Sequence, residues 1–425
     1  MIRKTGSKSG PAAPSRSVST QPKPAAKSQA TAFKRDELST GRGGALRANA
    51  QKYLGAKIGG QIGVSSPRPP PPQRTSEIAI AQAKALFVSS TDGKGAIGGA
   101  VTDFRSVTDK SFSVEAQAQL EKNKALEQKA VAALSKADQQ RYNDVQTKLT
   151  DPTAKLAMQT MLIEGRLPGE KDLRDGKTLL QQLDGLSKQK FAPELAGADE
   201  LLAHVVKEVF IPAAIGQGYE KLTCGPTSAL AALAVQNPAE YVRLVAGLAS
   251  PSGSVVMANG EPLVREPGTL NDDPAGIQRS VAQRLLGPAA MEYANGVLPY
   301  DNATDISMIA FGGLTAGMEE HLLEGLFSRD FKSRYDTSAF MIGILPIDMK
   351  RMLADQAIKA IDSGEAPVAV AMTWPTIDKA HFIVIDRIER TNEGTFVIVR
   401  NPWGQEERLP YDSFKQHLIG VVQPE

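Results

Sequence analysis

The chain contains the run Gly218-Tyr-Glu-Lys-Leu-Thr-Cys-Gly-Pro-Thr-Ser-Ala-Leu-Ala-Ala-Leu233, in which a loop leads into an apolar helical stretch. Cys224 stands at this junction and is the only cysteine among 425 residues. If a helix opens at Gly225, Pro226 falls in its first turn, where proline's missing N–H costs nothing. The sulfur then lies at the positive end of the helix dipole. We expect this position to shift the thiol toward thiolate, which makes it a candidate nucleophile.

Two downstream residues supply the partners that a nucleophilic thiol needs. His381 lies in Lys379-Ala-His-Phe-Ile-Val-Ile-Asp386, and Asn401 lies in Val399-Arg-Asn-Pro-Trp-Gly404. An imidazole can take the thiol proton and deliver it to a leaving amine, and a carboxamide can fix the direction and tautomer of the ring. We therefore predict a catalytic triad of Cys224, His381 and Asn401.

Three further residues are candidates for supporting roles. Gln217 lies seven residues before the cysteine and could form an oxyanion hole with the cysteine's backbone N–H. On a strand that starts at His381, Asp386 points to the opposite face. The asparagine is therefore the preferred orienter of His381, with Asp386 and Asp378 as reserves.

These residues resemble the triad of the papain-like cysteine peptidases in type and order. The run Asn401-Pro-Trp-Gly404 is similar to the Asn-x-Trp-Gly signature of that superfamily and, with its proline, most similar to the calpain version. The segment Thr223-Cys-Gly-Pro-Thr227 resembles bacteriocin-processing peptidases and phytochelatin synthases more than papain itself. The resemblance covers roughly the last half of the chain.

The resemblance implies a fold and further roles. It implies an α+β catalytic domain of two lobes, one helical and one an antiparallel, barrel-like sheet. It also implies that Trp403 shields the contact between His381 and Asn401 from water. Gln217 departs from the pattern by one position, because the glutamine of the family usually falls six residues before the cysteine.

Composition divides the chain into three parts. Residues 1–75 carry a net charge of +12, whereas the whole chain carries +2, so the remainder carries −10. The first part is rich in Ser, Pro, Ala and Gly and has few large apolar residues, so we predict a disordered basic leader over 1–75, resembling a leaderless secretion signal. Residues 76–198 show apolar spacings of three and four and predict a helical domain. The papain-like domain is predicted over 199–425.

Local patterns predict the elements of the last domain. Asn259-Gly260 indicates a tight hairpin turn. Helices are predicted over 238–248, 275–293, 314–326 and 348–361, and strands over 368–372, 382–387, 395–399 and 419–422.

Together the resemblances imply a bacterial effector, a cysteine protease that cleaves a protein substrate through a thioester, is secreted by a leaderless route and acts in a host cytoplasm. A bacterial cytoplasm is the alternative location. A glutamine deamidase or transglutaminase acting on a host protein, and a noncatalytic binding module, are the alternative functions. The expected partners are the protein substrate and a secretion chaperone for the N-terminal region.

Other classes of site have weak support. No His, Cys or carboxylate set has zinc-ligand spacing, so we predict no metal and no cofactor. Gly176-Lys-Thr178 resembles the end of a phosphate loop, but Lys171 stands where that loop needs its first glycine. We expect no nucleic-acid partner and no membrane span.

Overall fold

The computed structural model describes residues 75–195, 198–218, 221–271, 273, 279–296, 299–302, 306–307, 313–334, 345–375 and 379–425. The predicted basic leader, apart from its last residue, lies outside the described residues, as does Asp378.

The described residues form an α+β structure with twelve α-helices. These are α1 (Thr75–Ala85), α2 (Ser113–Ala132), α3 (Lys136–Lys148), α4 (Pro152–Ile163), α5 (Leu179–Lys188), α6 (Ala198–Phe210), α7 (Cys224–Gln236), α8 (Pro238–Ala249), α9 (Val281–Asn295), α10 (Ala316–Phe327), α11 (Ile347–Asp362) and α12 (Tyr411–His417).

Eight of the described strands form one antiparallel sheet in the order β1-β2-β11-β10-β9-β8-β12-β7. The strands are β1 (Val88–Lys94), β2 (Ala100–Phe104), β3 (Ser254–Val256), β4 (Pro262–Val264), β5 (Tyr300–Asp301), β6 (Ile306–Ser307), β7 (Phe331–Arg334), β8 (Val368–Trp374), β9 (Lys379–Thr391), β10 (Gly394–Asn401), β11 (Gln405–Pro410) and β12 (Leu418–Pro424). Strands β3–β4 and β5–β6 form two small separate sheets. The prediction of an α+β fold is confirmed, but the sheet is open in its described part and does not close into the expected barrel.

The helix that begins at Cys224 is the centre of the helical layer. Helix α7 packs against α8, α9, α10 and β9, and residues 224–234 are all buried. A helix surrounded on every side can be apolar on every face, which explains the run of Ala and Leu. It ends at Asn237, whose side chain caps α8 by accepting the N–H of Glu240 at 2.8 Å.

The Asn401-Pro-Trp-Gly404 run forms the turn of the β10–β11 hairpin. Asn401 pairs with Gln405 across this hairpin, and Gly404 has a φ of +79°, a conformation that favours glycine. The turn therefore holds Asn401 at the end of a strand in the middle of the sheet.

The region predicted to be helical also supplies two strands. Strands β1 and β2 form a hairpin, and β2 pairs with β11 through Val101 and Glu407. This differs from the prediction because the two strands lack an alternating apolar pattern and are stabilised by pairing with a distant strand. One continuous apolar core extends from Ala83 to Val422, while the division at residue 198 stays a prediction.

Candidate active site

The cysteine is held next to the strand that carries the histidine. Ser228 Oγ donates to the carbonyl of Phe382 in β9 at 3.0 Å, and the Phe382 N–H is directed at the Cys224 sulfur. Positions 224 and 228 lie on one face of α7, because they are four residues apart. Phe382 directly follows His381 in β9, and the β9–β10 pairing ends nearby, at Val384 and Arg400. The sulfur therefore lies against the residue that follows His381.

The histidine and asparagine are joined by a buried hydrogen bond. His381 Nε2 lies 2.9 Å from Asn401 Oδ1, and each residue is 1% exposed. Because an amide oxygen can only accept, Nε2 carries the proton of the neutral ring and Nδ1 has the free lone pair. Asn401 Nδ2 donates in turn to Glu407 Oε1 at 2.6 Å. The tautomer with a basic Nδ1 is the one that can take a proton from a thiol.

Two tryptophans, the only two in the chain, enclose the imidazole. Trp403 stacks on His381 with ring centroids 4.5 Å apart, and Trp374 meets it edge-on at 5.0 Å. Trp374 is 1% exposed, whereas Trp403 is 38% exposed. Trp403 therefore stacks on the imidazole and is itself partly exposed to solvent, while its role as a shield stays a prediction.

Gln217 lies close to the site but has another partner. Its backbone N–H donates to the carbonyl of Pro402 at 2.7 Å, which fixes its loop to the Asn401 turn. Its side-chain Nε2 donates to the carbonyl of Lys221, while Oε1 is buried without a hydrogen-bond partner among the described residues. The amide must turn before it can donate to an oxyanion.

The reserve orienter Asp386 is engaged elsewhere. It forms ion pairs with Arg387, at 2.6 Å, and with Arg400. The β9–β10 register also shifts at this position, between the pairs made by residues 385 and 387. Asn401, the preferred residue, is the one bonded to His381.

Burial sets the protonation of the thiol and the imidazole. Burial raises the pKa of Cys224 to about 11, although the N–H groups of Phe382, Gly225 and Cys224 itself act to lower it. Burial also lowers the pKa of His381 to about 4, although the bond to Asn401 acts to raise it. The expected shift toward thiolate is wrong for this arrangement, because the loss of hydration outweighs the helix N-terminus. At neutral pH the groups are a neutral thiol and a neutral imidazole.

A buried carboxyl group lies on the helix side of the site. Glu319 in α10 is 0% exposed, and neither of its carboxyl oxygens has a hydrogen-bond partner among the described residues. A Cβ placed on Gly225 would lie 2.7 Å from Glu319 Oε2, so only glycine fits without rearrangement. Burial raises the pKa of Glu319 to about 8, and its negative charge raises the pKa of Cys224.

Sequence reasoning missed Glu407, Trp374 and Glu319 as parts of the site. Glu407 lies opposite Val399 in the β10–β11 pairing, so it is a diagonal neighbour of Asn401 on the same face. The hairpin register could have revealed it. Glu319 had no such signal, because a pair of glutamates in a helix ordinarily marks an exposed face.

No protein-family model matches the sequence, and a comparison with curated proteins finds no match.

The described residues offer little to the other ligand classes considered. No group of three or more His, Cys, Asp or Glu within them is placed to hold a metal ion. In the Gly176-Lys-Thr178 loop, N–H groups that could face a phosphate donate instead to the Asp172 carboxylate. None of the described helices is long and apolar enough to cross a bilayer.

Proposed function

We propose that the protein is a cysteine protease in which Cys224, His381 and Asn401 cleave peptide bonds of a protein substrate through a thioester. The observation that supports this most is the buried chain from His381 to Asn401, next to a thiol at a helix N-terminus. The hydrogen bond to Asn401 leaves Nδ1 of His381 free, which a general base for a nearby thiol requires. The papain-like arrangement of a helical layer against an antiparallel sheet is part of this proposal.

The proposed chemistry starts from a neutral pair. As the sulfur attacks the substrate carbonyl, its proton passes to His381 Nδ1, so an imidazolium forms while the C–S bond is made. The backbone N–H of Cys224 donates to the oxyanion, with Gln217 as the second donor after its amide turns. The imidazolium then protonates the leaving amine, and the thioester remains.

Hydrolysis reverses the roles of the same groups. His381 Nδ1 takes a proton from water as the water oxygen attacks the thioester carbonyl, and it returns that proton to the departing sulfur. Asn401 keeps the second ring nitrogen protonated throughout both steps.

The proposal is tested by treating a eukaryotic cell lysate with wild type or with Cys224→Ala. New peptide N-termini with wild type alone support the protease. Glutamines converted to glutamate, or new crosslinks, would instead indicate the deamidase or the transglutaminase, since these share the thioester and differ in what resolves it. Identical lysates with wild type and Cys224→Ala would favour the noncatalytic binding module.

Leaderless secretion and action in a host cytoplasm stay predictions from the basic leader. Binding of a secretion chaperone to residues 1–75 is a prediction of the same kind.

A further inference from the structure

The orientation of the Asn401 amide decides which nitrogen of His381 carries a proton. The two ends of an amide are similar in size, and its hydrogen-bond partners decide which end faces which way. If the amide were reversed, Nδ2 would donate to His381 Nε2, and the ring proton would move to Nδ1. An imidazole in that form could not accept the proton of the thiol.

Glu407 is the residue placed to prevent that reversal. Its Oε1 accepts from Asn401 Nδ2 at 2.6 Å, and Glu407 is itself 1% exposed. The N–H of Trp403 adds a longer bond to Asn401 Oδ1, at 3.3 Å. Burial raises the pKa of Glu407. Whether the carboxyl group is charged or carries its proton on Oε2, Oε1 still accepts.

The hairpin of β1 and β2 holds this carboxyl group in place. A Cβ on Gly95 would lie 2.4 Å from Glu407 Oε2 and 3.2 Å from Val101 Cγ2. Gly95 lies in the turn of the hairpin, where its N–H donates to the carbonyl of Gly99 at 2.8 Å. The turn therefore packs against Oε2, the carboxyl oxygen that is not bonded to Asn401.

We infer that Glu407 is a positioning residue that fixes the Asn401 amide and thereby keeps the proton of His381 on Nε2, with the β1–β2 hairpin as its support. The inference rests on the proposed function for its catalytic meaning, because the tautomer matters only if His381 takes a proton from Cys224. It also makes residues 88–104 part of the catalytic unit, although the sequence predicted that they belong to a separate helical domain.

The test is the protonation of the His381 ring, read by ¹⁵N NMR of protein labelled at histidine. The chain has four histidines, and the spectrum of His381→Gln identifies the signal of His381. In wild type we expect the proton on Nε2. In Glu407→Gln, whose side-chain oxygen can still accept, the proton should stay there. In Glu407→Ala a share of it should move to Nδ1.

Reactivity of Cys224 with iodoacetamide gives a second readout. Because the wrong tautomer disables the base, Glu407→Ala should react roughly tenfold more slowly or worse, and Glu407→Gln should recover most of the wild-type rate. Gly95→Ala, which pushes on the carboxyl group without touching the triad, should give an intermediate loss. The control is Thr91→Ala, an exposed change in the same hairpin.

The outcomes separate this inference from the proposed function. If Glu407→Ala is folded and its His381 keeps the proton on Nε2, the inference is overturned. If the proton moves in Glu407→Ala but wild type cleaves nothing in a lysate, the positioning role stands and the protease proposal fails. A Glu407→Ala that does not fold leaves Gly95→Ala to decide, and a wild-type tautomer and rate there would overturn the inference.

Discussion

The sheet side and the helix side of the site treat buried polar groups differently. On the sheet side, His381, Asn401 and Glu407 form a chain with bonds of 2.9 and 2.6 Å, and the oxygen at its far end, Glu407 Oε2, is buried without a hydrogen-bond partner among the described residues. On the helix side, Glu319 lies beside Gly225 in the first turn of α7, and neither of its carboxyl oxygens has a hydrogen-bond partner among the described residues. A partnered buried group specifies one geometry, whereas an unpartnered one costs stability.

The sheet side and the helix side therefore have different roles in the site. The sheet side is fixed before any substrate binds, because each bond in its chain restricts the next. The helix side opposes the charge that the thiol acquires, since burial and Glu319 both raise the pKa of Cys224. Unfavourable burial of this kind is concentrated at functional sites in proteins, where it is offset by the rest of the fold.

The largest effect is expected from removing the base on the sheet side. The amide of His381→Gln cannot take the thiol proton at neutral pH, so alkylation of Cys224 by iodoacetamide should slow by roughly 10²–10⁴-fold. Since the chain has one cysteine, the mass of the intact protein reports this reaction alone. His321→Gln, which changes a histidine stacked on Tyr293, should react like wild type. An unchanged rate in His381→Gln would show that the imidazole does not act on the thiol.

The next effect concerns the stability cost of Glu319. Its pKa is raised from 4.5 to about 8, so between these values the folded state binds a proton that the unfolded state has lost. Stability therefore falls as pH rises through this window, by up to about 1.4 kcal/mol for each pH unit. Glu319→Gln keeps the size and the unpartnered polar group but removes the charge.

Urea unfolding of wild type and Glu319→Gln at pH 5 and pH 8 measures that cost. The variant should gain stability relative to wild type at pH 8 and show little difference at pH 5. The exposed turn substitution Glu393→Gln serves as the control and should show no such trend. A constant difference between wild type and Glu319→Gln at both pH values would mean that Glu319 is ionised together with a partner.

The pH dependence of Cys224 alkylation tests the sheet side and the helix side of the site together. Below about pH 4 His381 is protonated and cannot accept, so the rate should drop there. The rate should stay level through neutral pH and rise again, by tenfold or more, as the thiol ionises near pH 11. A thiolate–imidazolium pair would already react at its full rate at neutral pH and would show no alkaline rise.

The sequence was informative where structure is local. The Asn259-Gly260 turn joins β3 to β4 as predicted, and helices α8, α10 and α11 match their predicted ranges to within about two residues at each end. Helix α9 begins at Val281, six residues after its predicted start, because Ser280 caps it there by accepting the N–H of Gln283. Cys224, His381 and Asn401 were predicted as a triad because they occur together in the order of one known family, and the structure joins the second and third by a hydrogen bond. Local patterns were enough for the turn and for these helices.

The rest depended on contacts that no local pattern encodes. The segment Gln405-Glu-Glu-Arg-Leu-Pro410 looks solvent-exposed, and only the hairpin register turns Glu407 inward. The β1–β2 hairpin forms against β11, some 300 residues away, so its sequence of Ser, Thr and Gly gave no signal. The protonation of the thiol was missed because burial is a property of the whole fold.

The smallest effect is expected from uncovering the sheet side at Trp403. The substitution Trp403→Leu removes the ring that stacks on His381 with centroids 4.5 Å apart, and this loss should cost about 0.5–1.5 kcal/mol of stability. Water then reaches the ring, so the burial that holds the pKa of His381 near 4 is relieved and that pKa should rise toward its ordinary value of 6.5. The acid limb of the alkylation profile should move upward with it.

A control separates this pKa shift from loss of stability. Phe396→Leu removes an aromatic ring from the same strand, β10, that ends at Asn401, but that ring packs under Arg408. It should lower stability by a similar amount and leave the acid limb near pH 4. If the acid limb also stays near pH 4 in Trp403→Leu, Trp374 and the neighbouring strands exclude water from His381 by themselves. The sheet side of the site then does not depend on its solvent-facing tryptophan.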